Sequence, residues 1–344
     1  MHVLFTTLSG HGLATALKPL FSCTMSFRGT GRGHHESTLT FIKRPVPLAQ
    51  YPNVNIIQGS FDDAEVIASA AAGADIIIHS GDGDHENALK AIIRGLLRRD
   101  RKSFLIELSG TGLLYEYPNT TEYLGRYNAK AYSDVEDIAE LVSRPGDALH
   151  RRTDAIVLNA AADHGHVLKT AIVCPPDIYG RGSGPGRTVS YYIPRFVEAI
   201  QKLGKPFYLD AGSNMKGWIH IQDLVQTYVA LVEAAAAGGG EVSCGSEGYF
   251  CAATQEFSQK EIAVAAARIL HGKGLLPSTQ AQSISRENMA ALFPHAPETG
   301  FFSFCCNSRS KSDRAAKELG YVAKGPSFWD TLESDLLDAL ATKQ

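Results

Sequence analysis

The chain has 344 residues, 44% of them hydrophobic and 20% charged, with a formal net charge of −3 at neutral pH. That length suits one large domain or a main domain with a smaller lobe, and the mixed charges offer no basic face to nucleic acid. An uninterrupted apolar run of about 18 residues is absent, so no membrane-spanning helix is expected.

Residues 1–35 contain no Asp or Glu and carry Lys18, Arg28 and Arg32 among many Ser, Thr and Gly. They read as a mitochondrial targeting segment, as an altered start, or as the first strand and helix of the fold. The last is preferred, with His2–Thr7 as the strand, and a cytoplasmic location is then expected. Thr38–Arg44 and Val54–Gln58 are strand-like runs. A helix should open at Asp62-x-x-Glu65, whose spacing lets two side chains satisfy free N–H groups. Ala74–His79 reads as a strand buried on both faces, and Asn87–Arg99 as a helix with Ala88, Ile92 and Leu96 on one side. Phe104–Leu108 and Lys169–Cys174 are further strands. Such alternation predicts an α/β fold with a doubly wound parallel sheet.

After Cys174 the pattern changes. Pro175-Pro176 and the Gly-rich run Gly180–Gly186 break regular structure. Helices are expected over Tyr191–Leu203, over Asp223–Ala237 with Asp223 as cap, and from Ser258-x-x-Glu261 to about Leu270. Pro206–Asp210 reads as a short strand and Tyr249–Ala253 as a strand returning to the sheet. The expected division is a nucleotide-binding domain over 1–175, rejoined by segments of about 212–253, and a mainly helical, substrate-binding lobe over 176–344. The cysteines, Cys23, Cys174, Cys244, Cys251, Cys305 and Cys306, lack metal-ligand spacing. They read as reduced thiols, and no metal is expected.

Four segments in order resemble the extended and atypical short-chain dehydrogenase/reductases, of NAD-dependent epimerase/dehydratase type. They are Ile76–His79, Ser109–Gly112, Cys174-Pro175-Pro176-Asp177-Ile178-Tyr179-Gly180 and Trp218–Leu224; Asn307–Ser310 with Glu318–Tyr321 adds a fifth. The resemblance implies a Rossmann-type domain binding NADP or NAD. That site needs a Gly-rich turn where backbone and helix N-terminus meet the diphosphate. Where the family shows Thr-Gly-x-x-Gly-x-x-Gly, this chain has Thr6-Thr7-Leu8-Ser9-Gly10-His11-Gly12-Leu13. Gly10 and Gly12 are the candidates there. Lys43 and Arg44, read as the end of the second strand, favour NADP through its 2′-phosphate or are simply a solvated pair. Ser60 and Phe61, His79-Ser80-Gly81 and Pro175 complete the implied cofactor side, with His79 itself expected to be a packed structural residue.

Active members carry Tyr-x-x-x-Lys; here the corresponding stretch is His150-Arg151-Arg152-Thr153-Asp154, and none of the thirteen tyrosines has Lys four residues on. Ser109 falls where the family serine would lie. A substitute mechanism places Asp154 beside a protonated His150 on one helix face, with Ser109 orienting a carbonyl. Tyr123, Tyr127 and Tyr132 are weaker sources of a hydroxyl. Thr111, Tyr179, Arg181, Arg187 and Trp218 are the substrate candidates, the arginines for an anionic group. The leading expectation is an NADP-using oxidoreductase acting on a small carbonyl or alcohol. The alternatives are a non-catalytic NmrA-like dinucleotide sensor and a copy that has lost its cofactor. A homodimer through the Asn87–Arg99 and Arg151–His164 helices is expected, with no nucleic-acid or membrane partner.

Overall fold

The computed structural model describes residues 3–7, 24–28, 54–183 and 188–341. Gly10, Gly12, Lys43, Arg44 and Arg187, and the run Thr38–Arg44, lie outside the described residues.

Among the described residues seven strands form one sheet: β1 (Val3–Thr7), β2 (Thr24–Arg28), β3 (Val54–Gln58), β4 (Ile76–Ser80), β5 (Ser103–Leu108), β6 (Leu168–Cys174) and β7 (Tyr249–Cys251). Their order is β7-β6-β5-β4-β1-β2-β3, and every neighbouring pair is parallel. The chain runs outward from β1 in one direction and then from β4 in the other. The resulting switch point between β1 and β4 is where such sheets take ligands. The doubly wound Rossmann-type architecture read from the sequence is the one observed.

The strand beside β1 is a correction. That place belongs to Thr24–Arg28, so the residue ending the second strand is Arg28, not the Lys43-Arg44 pair.

Alternation along the strands divides the aliphatic residues between two buried faces. Leu4, Ile77, Leu105 and Ile172 pack with the helices Ala64–Ala72, Glu86–Leu96 and Arg151–His164. Val3, Ile76, Ile78, Ile106 and Val173 pack with Ile221–Ala236 and Ala315 of Asp313–Leu319. The first two helices approach so closely that a Cβ on Gly95 would lie 2.2 Å from the Ala68 carbonyl oxygen.

The third core is aromatic and belongs to the C-terminal half, where Tyr192, Phe196, Phe207, Trp218, Phe304 and Phe328 are all buried together. Tyr192–Leu203, Gln259–Gly272, Pro297–Phe304 and Phe328–Ala341 are the helices around it. Helix starts came out unevenly. Ser258 and Glu261 form the reciprocal cap expected of them. Glu65 instead pairs with Arg94 at 2.8 Å and Arg98 at 3.2 Å, and Asp63 accepts from the Ser60 N–H at 2.6 Å. At Ile221–Ala236 the cap is the His220 ring, which accepts from the Gln222 N–H. Asp223, the expected cap, accepts from the Lys324 and Gly325 N–H groups and anchors the segment before the last helix. No described helix is long and apolar enough to cross a membrane.

Candidate functional site

At the carboxyl end of β5 the backbone leaves the sheet through Ser109-Gly110 into the short turn Thr111–Leu114. Two bonds to the neighbouring strand fix this exit: the Ser109 N–H donates to Val173 O at 2.8 Å, and the Thr111 N–H to Pro175 O at 2.9 Å. Pro175 therefore serves here through its carbonyl, holding Thr111 in place. The Ser308 hydroxyl donates to Thr111 Oγ1 at 2.7 Å, tying the same turn to the C-terminal half.

His150 does not lie in the helix it was expected to open. The helix begins at Arg151, and His150 precedes it with a left-handed backbone (φ 64°). For a residue with a Cβ that conformation costs on the order of 1 kcal/mol and persists where surroundings over-determine it. Those surroundings are visible. Thr153 Oγ1 donates to both His150 O and Gly83 O, binding the helix start to the loop after β4. That loop carries Asp84, whose Oδ1 lies 2.9 Å from His150 Nδ1. Nε2, the far ring nitrogen, lies over Gly110: a Cβ there would come within 2.9 Å of it. Glycine is what lets the imidazole settle beside Ser109.

The partner of His150 is thus Asp84, and the expected His150–Asp154 pairing on one helix face does not form. Burial of the ring opposes its protonation, but the hydrogen bond and charge of Asp84 outweigh this and raise the His150 pKa. In Asp84 burial is likewise outweighed by His150, and its pKa is lowered.

Asp154 turns the other way, into a buried cluster. Its Oδ2 accepts from Ser109 Oγ at 3.0 Å and from Tyr249 OH at 2.7 Å, while the two hydroxyls are 3.2 Å apart. Its Oδ1 is buried without a hydrogen-bond partner. Burial pushes the Asp154 carboxyl up to about 6, against the lowering effect of those two donors. Burial first, and then the Asp154 charge, raise Tyr249 well above the ordinary phenol range. Tyr249 was read only as the start of a returning strand. Its signal was a phenol opening the strand that joins the sheet beside Leu168–Cys174.

On the expected cofactor side, β4 ends at Ser80, paired in register with Thr7 of β1, and Gly81 follows. Ser60 organises the turn after β3, its Oγ accepting from the Asp62 N–H. The Phe61 ring lies 6.0 Å from His79 and 5.5 Å from His85. His79 is fully buried, its Nδ1 2.8 Å from Glu107 Oε1, and its Nε2 has no partner. A packed structural histidine is what the sequence suggested.

The substrate candidates divide. Thr111 belongs to the turn just described. Tyr179 and Trp218 are 0% exposed and sit inside the aromatic core, which corrects the expectation that they reach a ligand. Tyr179 OH donates to Pro326 O and accepts from Gln255. Arg181 is paired with Asp338 at 2.8 Å on the last helix. Among the described residues no group of three or more metal-ligating side chains is assembled.

A parallel sheet with its switch point beside β1 defines a Rossmann-type α/β fold, with a serine and an imidazole brought together at the end of β5. Residues 144–245 match the model of the NAD dependent epimerase/dehydratase family. Over 298 residues the chain is 29% identical to the oxidase ucsJ of an Acremonium species, covering 83% of this chain and 84% of that one. It is 25% identical over 196 residues to dTDP-glucose 4,6-dehydratase of Mycobacterium tuberculosis, covering 54% of this chain and 56% of the relative. Two solved structures show the same fold along the whole length. DesIV, the dTDP-glucose 4,6-dehydratase of Streptomyces venezuelae solved with NAD and TYD, superposes with a TM-score of 0.64 at 14% identity, covering 100% and 98% of the two chains. UDP-glucuronic acid 4-epimerase of Bacillus cereus, solved with UDP-glucuronic acid and NAD, gives 0.63 at 12%, covering 100% of each. The resemblance read from the sequence is matched by that family model over residues 144–245, and the solved structures share the fold.

Proposed function

We propose that this chain is an oxidoreductase using NADP, with NAD as the alternative, on a small carbonyl or alcohol substrate. The observation that carries the reading is the His150–Asp84 pair at the end of β5. Asp84 fixes Nδ1 as the donor and leaves Nε2 beside Gly110 for proton exchange. A raised pKa keeps a protonated fraction near neutrality, the condition for general acid catalysis there. In reduction, Nε2 gives its proton to the carbonyl oxygen; in oxidation it receives the proton of the alcohol. Ser109 orients that oxygen once its hydroxyl leaves Asp154, which keeps Tyr249 as a donor. A nicotinamide cofactor would lie against the ends of β1 and β4, where Ser80 and Gly81 leave the sheet, and would supply or accept the hydride.

A second reading, a dinucleotide sensor without turnover, is favoured by one observation: the Ser109 hydroxyl is already committed to Asp154 and Tyr249. Calorimetric titration with NADPH and NADH, followed by a carbonyl panel on wild type and His150→Ala, separates the readings. Turnover that collapses in the variant supports the enzyme, whereas tight binding with no turnover on any carbonyl supports the sensor. Heat from neither cofactor removes both. We also infer a cytoplasmic homodimer through the helices Glu86–Leu96 and Arg151–His164. The division at about residue 175, with about 212–253 rejoining the sheet, belongs to the same proposal; sedimentation and limited proteolysis read the two inferences.

A further inference from the structure

Between β5 and the Arg151–His164 helix the chain makes a long excursion, and beneath it lies a polar cavity of about 100 Å³. A single water needs roughly 10–15 Å³ on this measure, so the space takes a small polar ligand. Glu116, Asn128, Lys130, Tyr132, Arg144 and Arg309 are among its lining residues.

Two of the three cations are already neutralised. Lys130 Nζ lies 3.1 Å from Asp137 and 2.6 Å from Glu140, and Arg309 forks onto Glu256. Arg144 is different. Its Nε donates to Leu113 O at 3.1 Å and its Nη1 to Tyr132 OH at 3.1 Å, and it lies over the Tyr132 ring. Among the described residues no carboxylate comes within ion-pair distance of it. Glu116 is its mirror image: Oε1 accepts from Asn128 Nδ2 at 2.6 Å, and no described cation pairs with the carboxylate. Two opposite charges therefore face one cavity without meeting. Partly buried charges gain most from a partner that brings its own opposite charge and hydrogen bonds.

We propose that this cavity binds a small zwitterion, its carboxylate on Arg144 and its protonated amine on Glu116. The class of ligand is an amino acid or the amino-acid end of a larger molecule. The cavity adjoins the candidate site. Arg144 holds Leu113 of the turn after Ser109, and Arg309 of the cavity wall adjoins Ser308, which bonds Thr111. The proposal deepens the oxidoreductase reading by naming the class of its substrate, and rests on that reading only for what happens to the other end of the molecule.

The test is direct binding to the full chain without cofactor, followed by NMR saturation transfer. The probes are glycine, β-alanine and 4-aminobutyrate, with acetate and methylammonium as singly charged controls. Increasing chain length reads the separation of the two charges. One zwitterion should bind at least about tenfold more tightly than either control, and Arg144→Gln and Glu116→Gln should each weaken it about tenfold. Acetate binding as tightly as the best zwitterion overturns the proposal, as does an unchanged affinity in Glu116→Gln or no binding of any probe. Arg144→Gln also loses a bond to the backbone, so its thermal midpoint is measured alongside. Glu116→Gln keeps the Asn128 bond and decides the matter if the arginine variant fails to fold. Because neither cofactor nor turnover enters the assay, its failure leaves the oxidoreductase reading standing, and titration with NADPH tests that reading separately.

Discussion

The aromatic core of the C-terminal half and the carboxyl edge of the sheet are both buried, and they are built on opposite principles. In the first, Trp218 packs 4.8 Å from Phe328 and 4.9 Å from Tyr192, and Phe304 lies 5.0 Å from Tyr192. The Tyr192 and Tyr179 hydroxyls there have partners within the same core or beside it. At the sheet edge, His79 Nε2 and Asp154 Oδ1 are buried with unmet hydrogen-bonding capacity, and a histidine is held in a left-handed conformation. The aromatic core is not free of unmet polar atoms, since Trp218 Nε1 also lacks a partner; what sets the sheet edge apart is a buried carboxylate beside a histidine held in a strained conformation, the combination expected where chemistry belongs. The same comparison shows why Trp218 and Tyr179, though within family-like segments, hold the lobe together instead of meeting a ligand.

Trp218→Ala tests the packing side most severely. Removing the indole should cost about 3–5 kcal/mol, read as a fall in the denaturation midpoint. Cofactor affinity in the surviving folded fraction should be unchanged, and a parallel loss would erase the distinction between the regions.

Asp154 gives the next largest effect, and its sign is specific. The carboxyl titrates at about 6 when folded and near 4 when unfolded. Between those values the folded chain keeps a proton that the unfolded chain has released. Stability should therefore fall as pH rises from about 4 to 6 and stay lower above, by up to about 3 kcal/mol. Asp134, also buried and also pushed up to about 6, contributes in the same direction. Asp154→Asn imitates the protonated form, so thermal melts at pH 8 should show a gain that shrinks towards pH 4. A variant less stable than wild type at pH 8 would contradict the assignment.

His150→Ala should lower carbonyl-dependent NADPH consumption about a hundredfold, the low end of what a positioned acid supplies. Asp84→Asn, which keeps the shape but loses the charge, should lose about tenfold and shift the activity profile towards lower pH. Stability should barely move in either. Equal turnover in the His150 variant and wild type would exclude the imidazole mechanism. The mildest contrast is Ser258→Ala, which removes one half of a reciprocal helix cap far from the sheet edge. It should cost about 1 kcal/mol by denaturant titration and leave turnover alone.

Much of the scaffold was legible because it depends on local pattern. Ile76–Ile78 could only be a strand buried on both faces, and Ser258-x-x-Glu261 announced its own cap. The site was legible in composition but not in pairing. Ser109, His150 and Asp154 were all named from the sequence, yet their partners are Tyr249, Asp84 and each other in an unforeseen arrangement. Helical spacing put His150 and Asp154 on one face; a single left-handed residue at the helix start separated them. Asp223 shows the same limit: its place suited a cap, but the backbone of Lys324 and Gly325 claimed it.

By itself, then, the chain's order of residues determined the alternation of strands and helices, the two faces of the sheet and the family likeness, because each is written in neighbours a few positions apart. Which acid meets His150, which tyrosine meets Asp154, and which charges share a cavity were decided only in three dimensions. The hydrogen bonds of His150, Ser109, Asp154 and Tyr249 join residues 45 to 140 positions apart. At such separations no local spacing carries the information, and the packing of the sheet edge alone selects the partner.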